Sequence, residues 1–167
     1  MAGPFTTVID LDKGWKKNKL AFRELKKWKA VAGVFAGRKH PSGMSSAQVA
    51  AIHEFGSPTR GIPPRAFMKR AFAQGLSRNI AHMKAIYRGA TGPSPVPVKP
   101  RMLELAQIMS NDMRVAISGA SGWAPGLKTK TIRQKGHGRP LVDTGSMVDS
   151  ITGRVATGRF VSKARAR

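Results

Sequence analysis

The chain has 167 residues, 41% of them hydrophobic, with 30 lysines and arginines against 8 aspartates and glutamates, a formal charge of +22. That length fits one domain with terminal extensions, and the charge sets the chain beside something anionic, nucleic acid or an acidic protein surface, while working against a compact isolated monomer. The absence of cysteine excludes disulfides, thiolate metal sites and cysteine nucleophiles; no apolar run approaches the roughly 18–20 residues of a membrane helix, and residues 1–10 lack the basic start and apolar stretch of a signal peptide, so a soluble cytosolic product is expected.

Residues 1–12 are expected to form an N-terminal arm. Lys13 to Lys29 reads as the first helix, with Trp15, Phe22 and Leu25 on one stripe, Trp28 at its edge, and Lys16, Lys17, Lys19, Arg23, Lys26, Lys27 and Lys29 on the other faces. The basic faces have two readings, a DNA contact or a solvated or partner-docking surface, and the aromatic stripe reads as core more readily than as a base-stacking platform. Ala30 to Gly37 is short, apolar and β-branched, a buried strand, and Arg38 to Gly43 is a turn. Ser45 or Ser46 caps a second helix ending near Phe55, with Val49 and Ile52 inward. Gly56 to Pro64 is a proline-stiffened loop. A long helix follows from about Arg65 to Arg88, with Met68, Phe72, Leu76, Ile80, Met83 and Tyr87 recurring at steps of three and four as its inward face.

Gly89 to Pro100 is proline-rich and predicts an extended connector. Arg101 to Ser118 is the next helix, with Met102, Leu105, Met109, Met113 and Ala116 on one face. Gly119 to Pro140 lacks periodicity and carries Lys128, Lys130, Arg133, Lys135 and Arg139, the candidate contacts to DNA or a partner; it is expected to be a mobile basic loop that orders in an assembly. Leu141 to Ser150 reads as a capped turn and short helix. Ile151 to Ala156 and Arg159 to Val161 read as strands around a Thr157-Gly158 turn, and residues 162–167 are a basic tail. The fold class is α+β, a single domain over 13–161 with a small, mainly antiparallel sheet and three or four helices; so few strands suggest that a neighbouring subunit completes the sheet.

The one enzyme-like signal is Leu141-Val142-Asp143-Thr144-Gly145-Ser146, which is similar to the active-site loop of aspartic proteases. That chemistry needs two aspartates sharing a proton, and this chain has one Asp-Thr-Gly, preceded by a Gly/Lys-rich loop and helices where a β-rich frame is required. The competing reading makes Asp143 and Thr144 a helix N-cap. His40, His53, His82 and His137 form no metal-ligand pattern, and the sequence has no phosphate-binding loop and no serine elbow. No catalytic residue, cofactor or metal is therefore expected.

Three further segments work together. They are Ala50-Ala51-Ile52-His53-Glu54-Phe55-Gly56, then Ile62-Pro63-Pro64-Arg65-Ala66-Phe67 running into Met68, Arg70, Ala71 and Phe72, then Pro140 to Met147 with Ser150-Ile151. In that order and spacing, over about residues 30–157, they resemble the head–tail joining or tail-completion proteins of tailed phages, including the virion-morphogenesis proteins of contractile-tailed phages. In that family a helix ends in Glu-Phe-Gly, an I-P-A-R-P-F loop opens a long helix, and L-x-D-T-G-x-L-x-x-S-I comes near the end. One departure is that the second proline, Pro64, precedes Arg65 where the family tends to place it after the arginine.

The resemblance implies a structural virion protein of the neck or tail end, made in the host cytoplasm. Its partners are copies of itself in a ring, the neighbouring neck or portal-side ring, and tail-tube proteins, with non-specific contact to the passing genome and no membrane. Glu54, Phe55, Gly56, Pro63, Arg65, Phe67, Asp143, Thr144 and Gly145 become candidate motif or interface residues. On the residues alone, Phe55-Gly56 ends a helix with an apolar anchor and a permissive turn. Arg65, at a helix start where the macrodipole disfavours a cation, is expected to reach a carboxylate, with Glu54 a candidate. A chain of this length has a radius of gyration of about 15 Å, so six subunits ~40 Å across enclose a channel of about 40 Å, enough for one duplex. The alternatives are a free basic nucleic-acid-binding protein and, more remotely, a retropepsin-like protease.

Overall fold

The computed structural model describes residues 14–35, 43–143 and 145–157. Over these the chain is α+β: helices α1 (Trp15–Lys27), α2 (Ser46–Phe55), α3 (Phe67–Thr91), α4 (Val98–Ser118), α5 (Thr129–Lys135) and α6 (Ser146–Asp149), and strands β1 (Trp28–Val34) and β2 (Ile151–Thr157). The strands pair antiparallel, with Trp28 opposite Thr157 and Val34 opposite Ile151. The expected N-terminal arm, the Arg38–Gly43 turn apart from Gly43, the Arg159–Val161 strand and the basic tail lie outside the described residues.

The sheet depends on α4. Helix α4 crosses both strands, and Gly153 of β2 sits so close that an added Cβ would fall on the Ala106 carbonyl. The expected inward face of α4 is borne out: Met102, Leu105, Met113 and Ala116 are buried and Met109 is partly buried. Helix α4 begins three residues before the expected start because Pro100 occupies its first turn, where a backbone N–H has no intrahelical partner. Ser45 caps α2 in a reciprocal box with Gln48, its hydroxyl accepting from the Gln48 N–H at 3.2 Å.

Two buried clusters result. One gathers Val49 and Ala50 of α2, Phe67 and Ala71 of α3, Ile117 of α4, and Leu141, Met147 and Ile151 from the C-terminal part. The other joins Ile86 and Ala90 of α3 to Val98, Met102 and Leu105 of α4, with Leu25 and Trp28 against its side.

The face of α3 is a correction. Its buried positions are Phe67, Ala71, Gly75, Asn79, Ile86 and Ala90, whereas Phe72, Leu76, Ile80, Met83 and Tyr87 are between 41% and 52% exposed. Small residues let α4 approach: a Cβ on Gly75 would stand 2.7 Å from the Asp112 carboxylate, and that carboxylate is paired with Arg78. The large apolar residues occupy the adjacent stripe and face outward. On α1 likewise Trp15 is 68% exposed and no residue is buried, so the expected aromatic core stripe is open, with Phe22 resting on Tyr87 at 5.8 Å between ring centroids.

The other differences are local. Helix α3 runs on to Thr91, which shortens the extended connector to residues 92–97, where the Val96 N–H bonds the Gly89 carbonyl at 3.0 Å. The stretch 119–140 is not structureless, since it holds a 3-10 turn at Ala120–Gly122 and helix α5.

Candidate functional site

The three sequence motifs meet at one end of the molecule. Helix α2 ends at Phe55, and Gly56 turns the chain at φ 77°, its N–H bonding the Ile52 carbonyl at 2.8 Å. A Cβ at Gly56 would lie 2.9 Å from the Ile62 carbonyl oxygen, so the permissive turn is a steric requirement. Ser57 and Ile62 then exchange two backbone hydrogen bonds, 2.9 and 3.0 Å, closing a small loop that delivers Pro63 and Arg65 to the start of α3.

Glu54 does not pair with Arg65. Helix α3 has Ala66 at its N-cap and no cap from its own side chains. The buried Glu54 carboxylate supplies the cap from the neighbouring helix, accepting the Met68 N–H at 2.9 Å and the Lys69 N–H at 3.0 Å. A carboxylate there satisfies two orphan donors and complements the helix macrodipole.

Arg65 also departs from expectation. It is buried, and instead of a carboxylate it binds main-chain carbonyls, Nε donating to Pro125 at 2.9 Å and a terminal nitrogen to Gly126 at 3.1 Å. Burial pushes its pKa below the ordinary arginine range. This fork holds the 119–128 segment against α3, helped by the Trp123 Nε1–H, which donates to the Ala116 carbonyl at 3.0 Å, and by Arg70 stacked 5.0 Å from the Trp123 ring. Sequence reasoning singled out neither Trp123 nor Asn79; a tryptophan amid polar loop residues was the available signal for the first.

Phe67 is fully buried at the junction of the motifs, against the cluster that includes Leu141, Met147 and Ile151. Phe55 is the opposite case: the expected anchor is 79% exposed. Pro63 is partly buried. In the third motif, Leu141 is buried at a positive φ of 63°, a conformation that β- and γ-branched residues adopt only when packing enforces it. The N-cap of α6 is Gly145 at φ 81°, with no side-chain cap hydrogen bond. Asp143 lies exposed and its carboxylate takes part in none of the hydrogen bonds among the described residues, so the Asp143 half of the expected cap is not seen; Thr144, the other half, is outside the described residues.

Lys135 is not a free basic contact either. Its ammonium donates to the Val142 carbonyl and to the Arg139 carbonyl, the latter at 3.2 Å, tying the 136–142 turn to α5. Burial lowers its pKa, the Asp143 carboxylate pulls it back up, and the Arg65 guanidinium lowers it further. Lys128, Lys130, Arg133 and Arg139 are exposed and form the available basic surface.

The cleft around Asp143, between His53, Lys135, Val142 and Ser146, has a volume of about 40 Å³. That is room for a water molecule, far below the ~300–1,000 Å³ of small-molecule sites. Among the described residues the frame around it is helical with one pair of strands, unlike the β-rich frame that the protease loop needs. Among the described residues no cluster of three or more His, Asp or Glu side chains is arranged to hold a metal ion, and no helix is long and apolar enough to cross a membrane.

Comparison with known proteins gives no match: no protein-family profile, no curated protein and no solved structure matches the chain.

Proposed function

We propose that the chain is a non-enzymatic structural subunit that works as a homo-oligomeric ring in the neck or tail end of a tailed-phage virion, completing the tail or joining it to the head and letting the genome pass. The observation that carries the assembly part is the outward apolar face of α3 together with exposed Phe55 and Trp15. Phe72, Leu76, Ile80, Met83 and Tyr87 recur along one face of α3, and an exposed apolar stripe of that extent marks an interaction site. The phage assignment is supported by the three ordered motifs, Glu54-Phe55-Gly56, Ile62 to Phe67, and Leu141 to Ile151, which also share a single packed region.

In this reading the motif residues build the subunit and its exposed surfaces build the ring. Glu54, Gly56, Arg65 and Phe67 fix the angle between α2 and α3 and hold the 119–128 segment. Phe55 and the α3 stripe are left for neighbours. Lys128, Lys130, Arg133 and Arg139 face DNA or an acidic ring above or below. DNA contact is electrostatic and sequence-blind, because a channel that passes a whole genome cannot hold any one sequence tightly. Native mass measurement with negative-stain images tests the proposal: closed rings support it. A monomer with tight, salt-sensitive nucleic-acid affinity points to the runner-up, a free nucleic-acid-binding protein.

A further inference from the structure

Between the C-terminal end of α1, the start of β1, and helices α3 and α4 runs an open groove of about 730 Å³, lined by Leu25, Leu76, Ile80, Met83 and Met109 among others. The α3 residues along it, Phe72, Leu76, Ile80, Met83 and Tyr87, are 41–52% exposed. At ~200 Å² for a large side chain they present roughly 450 Å² of apolar surface, over half of the ~800 Å² that each partner of a standard interface buries. This face is poorly suited to meet a second copy of itself. Helix α3 carries Lys69, Arg70, Arg78, Lys84 and Arg88 and no acidic residue, and α1 beside it has six lysines and arginines and one glutamate. Like faces would set cations against cations.

The complementary feature stands at the motif end. Phe55, 79% exposed, is the most exposed large apolar side chain among the described residues. It is held in place: Glu54 caps α3, Gly56 has no room for a Cβ against Ile62 and Pro64, and Ser57 and Ile62 close the turn by two backbone hydrogen bonds. An aromatic ring fixed in advance and left in solvent has the form of an interface anchor. The same end carries exposed carboxylates, Asp143 on the cleft it shares with α2 and Asp149 on α6, which packs against α2. Phe55 does not reach the groove of its own chain. It sits at the start of α3, and Ile80 lies thirteen residues along that helix, about 20 Å away.

We propose that Phe55 of one copy seats in this groove of the next copy, with Asp143 and Asp149 turned toward the cations of α1 and α3. The proposal rests on the ring reading and names its repeating contact. Two unlike patches meeting from copy to copy generate a ring, whereas one patch meeting itself stops at a dimer.

Two variants test it. Phe55→Lys removes the anchor and leaves the groove, and Ile80→Asp spoils the groove and leaves the anchor; both positions are exposed, so each variant should keep the native helical signal. By native mass each alone should lose its rings and stay a single copy, while a 1:1 mixture should give a pair made of one of each, since one intact contact remains. In a second measurement, benzoylphenylalanine replaces Phe55 and isotope-labelled native chain is mixed in before irradiation. Residue 55 should become linked to the labelled tryptic peptide Asn79–Lys84. Rings of Phe55→Lys as abundant as the native ones, a mixture without the pair, or no labelled groove peptide would overturn the contact while native rings keep the ring reading. Native protein that stays monomeric sinks the ring reading and the contact with it.

Discussion

Removing the Glu54 carboxylate should destabilise the whole subunit, because the longest helix, α3, has no other side-chain cap. In Glu54→Ala the Met68 and Lys69 N–H groups, now 2.9 and 3.0 Å from carboxylate oxygens, lose their acceptors. Loss of an N-cap costs ~0.5–2 kcal/mol, and a second buried donor left unpaired adds ~1–3 kcal/mol. Together they make an expected cost of about 3 kcal/mol. For a domain of this size each kcal/mol moves Tm by ~2–4 °C, so the expected fall is about 6–12 °C. Glu54→Gln keeps one acceptor oxygen and should lose about half as much. The control is Glu104→Ala, whose partner Arg101 is more than half exposed, and such a surface pair contributes ~0–1 kcal/mol. Melting curves followed by circular dichroism, at one fixed protein concentration because assembly shifts Tm, decide the matter. If Glu54→Ala melts with Glu104→Ala, the cross-helix cap is not what holds α2 and α3 together.

Three further outcomes are expected. Gly153→Ala should fail to fold or lose roughly 3 kcal/mol or more, since its methyl would fall on the Ala106 carbonyl, while Gly138→Ala, with open space around it, should melt like the native protein. Arg65→Lys replaces a two-pronged donor by a point charge, so the 119–128 segment should loosen and trypsin should cut at Lys128 and Lys130 at a higher initial rate; an unchanged rate would show that the bonds to Pro125 and Gly126 do not hold it. DNA binding should be weak and weaken linearly with log salt, and joint replacement of Lys128, Lys130, Arg133 and Arg139 should reduce that slope by about 0.9 for each phosphate that is no longer neutralised. Lys135→Met should leave the slope unchanged, because that ammonium is spent on main-chain carbonyls.

Local chemistry was legible in the sequence where one residue decides it. Ser45 capping α2, the turn at Gly56, the inward face of α4 and the Ile151 strand follow from side chains and spacing alone. Periodicity located α3 but chose the wrong stripe. Two adjacent stripes both fit a helix, one of small residues around Ala71 and Gly75 and one of large residues around Phe72 and Ile80, and hydrophobicity favours the larger. Close helix packing selects the smaller, and only the approach of Asp112 and α4 reveals it. The partners of Glu54 and Arg65 were illegible for a related reason. Both bind backbone groups, which every residue carries, so no residue type in the sequence marks them. Asp143 misled in the other direction, since an Asp before a short helix matches a cap pattern, yet the N-cap position of α6 is Gly145 and the Asp143 side chain lies exposed.

Ring assembly is tested most directly by the mass of the purified full-length protein under native conditions, with images of the same sample. Closed rings are expected, six copies of the 18.0 kDa chain around an open channel, that come apart when charge is placed on the outward face of α3, as in Ile80→Asp, without loss of helical signal. Native protein that remains a folded monomer at every concentration, or an Ile80→Asp variant that assembles as readily as the native chain, would contradict it.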